Sequence, residues 1–404
     1  MLSAFTSRPH LNALLFGDLD LKEFFDKYFE KSPLHLPRAS VLYVDFNLNS
    51  FENYLALLDG HLDEIVFVSK EGNNLPLPPA GHNGQSQLKF LREVAVAGAT
   101  LRVGDLERRD PLIATLCREL EIFLFGSSVA KLFFTAKGNH GFSTHYDGES
   151  VFVIQLSGQK KWTVYPNACK YATRQMATTI DPGSLPPPLW EVTLEPGDVL
   201  YLPAGVPHHA ESQDNDSLHL SVGITPWNAA DVINYVVAGL TRSTEVLRQP
   251  LRGQYDMDSE VLKDALELVL GELHRINSPS FINDFRRAVH GSRPSRRFSQ
   301  LHNIDSVKRT GARLRVRRNR VKHVEMDVVG GYVNLYLGSS TSGTGIHVGA
   351  PGMIRLPLLA KSEVEFLIES YDYHYADETP GMLDVDSKLA LTRRLIEHEI
   401  LEAE

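Results

Sequence analysis

Apolar and polar positions follow several distinct rhythms along this chain. From Asp18 to Glu30, DLDLKEFFDKYFE sets apolar residues at helical spacing, and the two prolines of KSPLHLPR end the segment. Residues 51 to 127 mix helical patterns, FENYLALLDG and PLIATLCRELEIFLFG, with short strands and polar loops such as EGNNLPLPPAGHNG. From about 128 to 226 the runs become short, β-rich and punctuated by Gly and Pro: AKLFFTAKG, SVFVIQLSG, KKWTVYP, WEVTLEPGDVLYLPAG and SLHLSVGITP. That texture predicts a small barrel or sandwich.

After Trp227 three helical patterns follow, NAADVINYVVAGLTRSTEVLRQ, SEVLKDALELVLGELHRI and SPSFINDFRRAV, each opened by Asn or Ser. The second carries an apolar stripe of Val261, Leu262, Ala265, Leu266, Val269, Leu270 and Leu273, which is expected to bury against a neighbour or a second subunit. Residues 301–404 open on a basic run, VKRTGARLRVRRNRVKH, pass through strands GGYVNLYLG and IHVGAPGMIRLP, and close on helices SEVEFLIESY and DSKLALTRRLIEHEILEAE. A small α+β module of winged-helix type is expected there. No internal repeat is visible.

Composition changes this picture little. The 404 residues, 43% hydrophobic and 23% charged, are those of an ordinary folded protein of two to three domains. A formal charge of −9 argues against nucleic acid as a partner, since phosphate binding draws on clustered Lys and Arg. The basic run is read as a solvated face. Two cysteines, Cys117 and Cys169, with no CxxC, indicate neither a disulfide framework nor a thiolate zinc site. No basic-then-apolar leader and no stretch of 18 apolar residues is seen, so a soluble, cytoplasmic protein without membrane association is expected.

The candidate chemistry lies in HYDGESVFVIQLSGQKKW. Strand alternation puts His145 and Asp147 on one side and Tyr146 on the other, so two metal-capable groups converge. A further ligand is expected from PAGVPHHAES, which offers His208 and His209 after a Gly/Pro turn. Two histidines and one carboxylate form the facial set that leaves positions open on non-haem Fe(II), whereas zinc favours other sets. An HxD pair alone is a weak signal, but it stands here with an apolar strand, a GQKKW cation fifteen residues after His145 and the distal histidine turn.

Those residues resemble the JmjC and cupin-like 2-oxoglutarate oxygenases, and within them the ribosomal oxygenase group of bacterial type. The likeness runs from HYDGESVFVIQLSGQKKW through LEPGDVLYLPAGVPHHAE to SLHLSV, and the entry segment FFDKYFEKSPLHLPR is similar to that family's start. The resemblance implies an α+β protein whose core is a double-stranded β-helix of jelly-roll type. It implies an entry region over 1–100, the catalytic barrel over 101–228, a helical dimerisation region over 229–300 and a winged-helix-like module over 301–404.

Carried over residue by residue, the resemblance assigns the metal to His145, Asp147 and His208, the last by the turn PxGxxH, with His209 as the alternative because a one-residue slip exchanges their faces. It assigns the distal carboxylate of 2-oxoglutarate to Lys160, helped by Ser221, with Lys161 pointing outward. A cation inside a barrel is costly unless it meets an anion, and a dicarboxylate supplies one. His219 is read as a strand-packing residue. The chain departs from the family where Asn or Tyr often precedes the HxD, having Lys131, Leu132 and Phe133 instead, and Ala204 stands where related turns carry arginine.

The implied activity is an Fe(II)- and 2-oxoglutarate-dependent protein hydroxylase acting on an Arg or His side chain of a ribosomal protein, releasing succinate and CO2, with no catalytic side chain beyond the metal ligands. The implied assembly is a homodimer through 229–300. Two other readings stand beside it, a non-catalytic metal-binding cupin scaffold or regulator and an oxygenase acting on a small molecule.

Overall fold

The computed structural model describes residues 11–57, 66–70, 73–77, 87–139, 141–251, 260–276, 279–291, 314–337 and 352–404. The chain divides after Pro226 into two units, Met1–Pro226 and Trp227–Glu404.

In the first unit the strands are β1 (Leu34–Leu36), β2 (Val66–Lys70), β3 (Asn73–Leu75), β4 (Thr100–Val103), β5 (Gly126–Thr135), β6 (His145–Tyr146), β7 (Ser150–Ser157), β8 (Lys160–Val164), β9 (Thr178–Thr179), β10 (Trp190–Leu194), β11 (Val199–Leu202), β12 (His208–Ser212) and β13 (Ser217–Pro226). They form an eight-stranded sheet in the order β1-β11-β7-β13-β5-β4-β2-β3 and a five-stranded sheet in the order β10-β8-β12-β6-β9. All of the pairings are antiparallel. Strands of the entry region therefore extend the same sheet as the barrel strands.

Period-two alternation decides what each strand shows to which side. Along β7, Phe152, Ile154 and Leu156 join one core, while Val151 and Val153 join a second core between the sheets. Along β11, Val199 and Tyr201 belong to the first and Leu200 and Leu202 to the second. These strands are covered on both faces, which is why SVFVIQLS and VLYL read as nearly continuous apolar runs.

The first core is closed by helices α1 (Leu48–Leu57), α2 (Gln87–Val96) and α3 (Pro111–Phe123), which contribute Phe51, Leu55, Leu91, Ile113, Leu116 and Leu120. The start of α3 is set locally. Asp110 accepts hydrogen bonds from the backbone N–H of Leu112 and Ile113, and Pro111 takes the first turn, where its missing N–H costs nothing. The helical entry segment occupies 21–28, and the LHL of KSPLHLPR is strand β1, paired with β11.

In the second unit, α4 (Ala229–Ser243), α5 (Glu260–Arg275) and α6 (Pro279–Gly291) match the three helical patterns. Asn228 and Asp231 form a reciprocal capping box at the start of α4. Then come β14 (Arg315–Arg318), β15 (Val324–Val329), β16 (Tyr332–Leu337), β17 (Gly352–Pro357), α7 (Lys361–Glu369), β18 (His374–Tyr375), α8 (Val385–Glu397) and β19 (Leu401–Ala403). Their sheets run β18-β14-β19 and β15-β16-β17, over a core that includes Val316, Leu335, Val364 and Leu395.

One expectation fails here, because the closing helix does not continue to residue 404. Glu399 takes φ +61, which breaks it, and ILEAE then alternates, with Leu401 and Ala403 buried while Glu402 and Glu404 pair with Arg317 and Arg315 of β14. In the described half of the basic run those arginines thus face carboxylates, as does Lys322, 3.6 Å from Glu399. Residues 292–313, with the first half of that run, and 338–351, with the start of IHVGAPGMIRLP, lie outside the described residues. Both cysteines are free thiols. Among the described residues no helix is long and apolar enough to cross a membrane.

Candidate metal centre and cavity

The face of the eight-stranded sheet turned toward the five-stranded one changes from apolar to polar along its length. On β13, Leu218, Leu220, Val222 and Ile224 lie in the first core, so His219, Ser221 and Gly223 point the other way, into a cavity of about 240 Å³. On β5 the same alternation sends Ala130 and Leu132 to the core and Lys131 and Phe133 to the cavity. The opposite wall comes from β8 and β12, with Lys160, Trp162, His208 and Ala210.

His145, Asp147 and His208 come together on this cavity, with one potential ligand atom from each lying within 4.8 Å of the others. Strand pairing does the assembly. His145 on β6 is the direct cross-strand partner of His208 on β12, although 63 residues separate them in the chain. Their ring centroids are 4.6 Å apart, and His208 Nε2 is 3.7 Å from an Asp147 carboxylate oxygen.

The histidines are also oriented. His145 Nδ1 lies 2.8 Å from the Ser143 carbonyl oxygen, and His208 Nδ1 lies 3.0 Å from that of Val206. A carbonyl only accepts, so each imidazole must donate through Nδ1–H, leaving the Nε2 lone pair free to bind a cation. Burial, joined by the field of His145, pushes the His208 pKa down to about 4, against a smaller pull from Asp147. Two imidazoles held in this orientation and one carboxylate suit a divalent, six-coordinate metal with open positions.

His209 goes to the other face of β12. Its Nδ1 is 3.2 Å from Thr144 Oγ1 and its ring lies 6.1 Å from that of Tyr165, so the structure does not bring it to the cluster. Lys160 and Lys161 divide in the same way. Lys161 pairs with Glu191 at 2.9 Å, whereas Lys160 is 2% exposed and lines the cavity with Ser221. Lys160 Nζ donates to Thr135 Oγ1 at 2.9 Å, and burial alone brings its pKa down to about 7.

Several residues in and around the cavity had no site role in the sequence reading. Thr135 is the hydroxyl beside Lys160 and is itself 3.1 Å from Thr100 Oγ1. Lys131 donates to the buried Glu149 at 2.9 Å, and Arg174 reaches the same carboxylate at 3.3 Å. Arg102 lines the cavity with its guanidinium 4.2 Å above the Phe67 ring. His219 does pack against strand neighbours, stacking on Phe133, but it is a cavity residue as well. The period-two rule carried from the apolar residues of β5 and β13 to their polar neighbours is the signal that finds Lys131 and His219.

Comparison with known proteins places this geometry. Residues 108–232 match the model of the JmjC domain. A protein of Dictyostelium discoideum named bifunctional lysine-specific demethylase and histidyl-hydroxylase NO66 is 28% identical over 262 residues, 61% of this chain and 49% of that one. Ribosomal oxygenase 1 of Gallus gallus is 42% identical over 208 residues, 50% of this chain and 34% of that one. The matched part thus spans less than half the length of these relatives. Among solved structures, the Escherichia coli ribosomal oxygenase YcfD in complex with cobalt and 2-oxoglutarate superposes with a TM-score of 0.57 at 18% identity, covering 96% of this chain and 99% of that one. The shared feature is the fold, a mixed helix-and-sheet chain around a JmjC-type barrel.

Proposed function

We propose that this chain, which carries a JmjC domain and is a relative of the ribosomal oxygenases, is an Fe(II)- and 2-oxoglutarate-dependent hydroxylase of a protein side chain. The observation that carries the reading is the paired orientation of His145 and His208. Two backbone carbonyls fix their tautomers so that each keeps a ring nitrogen free for a cation beside the Asp147 carboxylate, on the wall of a cavity that also holds the buried Lys160.

In this reading His145, Asp147 and His208 would hold Fe(II) and leave it open toward the cavity for co-substrate and O2, with the target side chain presented alongside. Bound Fe(II) and 2-oxoglutarate together supply the oxidation, in which O2 converts 2-oxoglutarate to succinate and CO2 and hydroxylates a C–H bond. This chain's residues bind, orient and exclude water. Lys160, with Ser221, meets the distal carboxylate, an ion pair that the low local dielectric strengthens. The close-packed apolar lining, Val151, Val153 and Trp162, keeps bulk water from the reacting centre. No side-chain acid or base is required.

The substrate is a ribosomal protein, presenting an Arg or His side chain. The names of the relatives support this, and the formal charge of −9 steers a basic partner toward the chain. The helices of 229–300 form a homodimer, the module over 301–404 is winged-helix-like without a nucleic-acid role, and the protein works in the cytoplasm. Support for the dimer comes from α5, where Leu266 and Leu270 are 55% and 54% exposed.

The test is anaerobic titration of the protein with Fe(II), then 2-oxoglutarate, followed by mass spectrometry of ribosomal proteins from a deletion strain. The expected results are a weak visible charge-transfer band, loss of that band in Asp147→Ala, and loss of a 16 Da addition on one ribosomal protein. Succinate formation independent of added ribosomal protein favours a small-molecule substrate. Metal binding without 2-oxoglutarate binding favours a scaffold.

A further inference from the structure

One wall of the cavity holds a polar atom that the protein leaves unmatched. His219, on β13, is 3% exposed, and its Nδ1 is buried without a hydrogen-bond partner. Its ring is clamped, stacked on Phe133 at 4.9 Å with an interplanar angle of 6° and edge-on to Trp162 at 5.5 Å. Its strand is paired on both sides, with β5 and with β7, so the backbone cannot shift to find it a partner. A buried polar group left unmatched is destabilising, and such groups persist where they serve something else.

Lys160 sits in the same position of need. Its ammonium has the single hydroxyl of Thr135, where a lysine offers three donors. The two groups interact, since the charge of Lys160 joins burial in keeping His219 neutral. A neutral imidazole has one N–H. An N–H sealed without an acceptor is the costlier orphan, so with Nδ1 closed off the proton belongs on Nε2, the nitrogen left to face the cavity. Lys160 and His219 thus offer an ammonium and a neutral N–H donor to one volume, with the Ser221 hydroxyl two residues along the same strand face.

We propose that His219 is a further direct donor to the distal carboxylate of the co-substrate, beside Lys160 and Ser221: Lys160 supplies the charge and His219 Nε2–H a directional hydrogen bond, so that this end of the cavity selects a carboxylate over an apolar or neutral end group. The proposal rests on the reading of the cavity as a 2-oxo acid site. It gives Phe133 a role too, as the plate that fixes the imidazole plane.

The test compares wild type, His219→Phe, which preserves the stack, and His219→Gln, which restores a neutral donor, in anaerobic binding titrations on the Fe(II)-loaded protein. The ligands are 2-oxoglutarate and 2-oxopentanoate, which has a methyl group in place of the distal carboxylate. A hydrogen bond to a charged group is worth about 1.5–3 kcal/mol, so His219→Phe should weaken 2-oxoglutarate about 10- to 100-fold. It should leave Fe(II) affinity without co-substrate unchanged, and change 2-oxopentanoate binding by less than about threefold, with partial recovery in His219→Gln. Unchanged 2-oxoglutarate affinity in His219→Phe, or equal weakening of both ligands, overturns the role of His219 while the 2-oxo acid site stands. Failure of wild type to bind 2-oxoglutarate at all overturns both.

Discussion

A lysine enclosed between two sheets with one hydroxyl for a partner holds its proton weakly. Lys160 should be about half protonated near pH 7 in the free protein, against an ordinary value of 10.5. Because the folded value lies below the unfolded one, the free protein gains stability as pH rises from about 7 toward 10.5, the folded chain no longer having to bury a charge. A carboxylate brought beside it reverses the preference. Binding of 2-oxoglutarate to the metal-loaded protein at pH 8 should therefore take up close to one proton. Uptake should fade below pH 7, where the ammonium is already formed, and affinity should weaken as pH rises above 7. Calorimetry in buffers of different ionisation enthalpy measures the uptake, and Lys160→Met should abolish it; uptake that persists in the variant assigns the proton elsewhere. At this scale the sequence was informative for the meeting of His145, Asp147 and His208, because HxD at a strand end and PxGxxH in a turn are local patterns that alternation converts into facing directions. Thr135 and Glu149 were illegible because their roles arise from contacts with residues distant in the chain, Lys160 for one and Lys131 and Arg174 for the other, which no local spacing reports.

At the scale of elements, the turn between β11 and β12 carries more than its five residues would imply. Gly205 has φ +79, its N–H donates to the Asp147 carbonyl at 2.9 Å, and its carbonyl accepts from Ala168. A Cβ there would stand 1.8 Å from the Cys169 carbonyl oxygen. One glycine thus ties Asp147, the histidine-bearing turn and the segment after β8. Gly205→Ala should lower stability by about 2–5 kcal/mol, the sum of left-handed strain and a backbone collision, and weaken metal binding as well. Gly138, at φ +68 with open space where its Cβ would go, should cost only about 1 kcal/mol on the same change, measured by urea unfolding. Elements with strong periodicity were legible: β7, β8, β10, β11 and β13 fall inside the β-rich runs, and β5 overlaps AKLFFTAKG but begins earlier, at Gly126, in a stretch read as helical. Strand β19 was not, because ILEAE continues a helical stripe, and only the positive φ at Glu399 and the waiting β14 edge turn it into a strand.

At the scale of the molecule, the two units were foreshadowed by the change of rhythm at Trp227, and the division falls after Pro226. Less legible was the reach of the first sheet back to β1 through β4, since those strands are three to five residues long and lie among helices. The stripe on α5 bears on assembly. None of its seven apolar residues is fully buried within one chain, so the homodimer proposed above should be visible by light scattering and lost in Leu266→Asp with Leu270→Asp. A monomer in the unaltered protein would remove that proposal.

The cross-strand meeting of His145 and His208 reaches beyond chemistry. Strand β6 is two residues long, and a bound ion would clip it to β12 across 63 residues of chain, much as a covalent staple would. A ligand that binds only the folded form at a hundred times its Kd adds about 2.7 kcal/mol to stability. Molecules emptied of metal would then open more often and meet proteases more often, so the amount of this protein in a cell would follow the supply of iron through turnover.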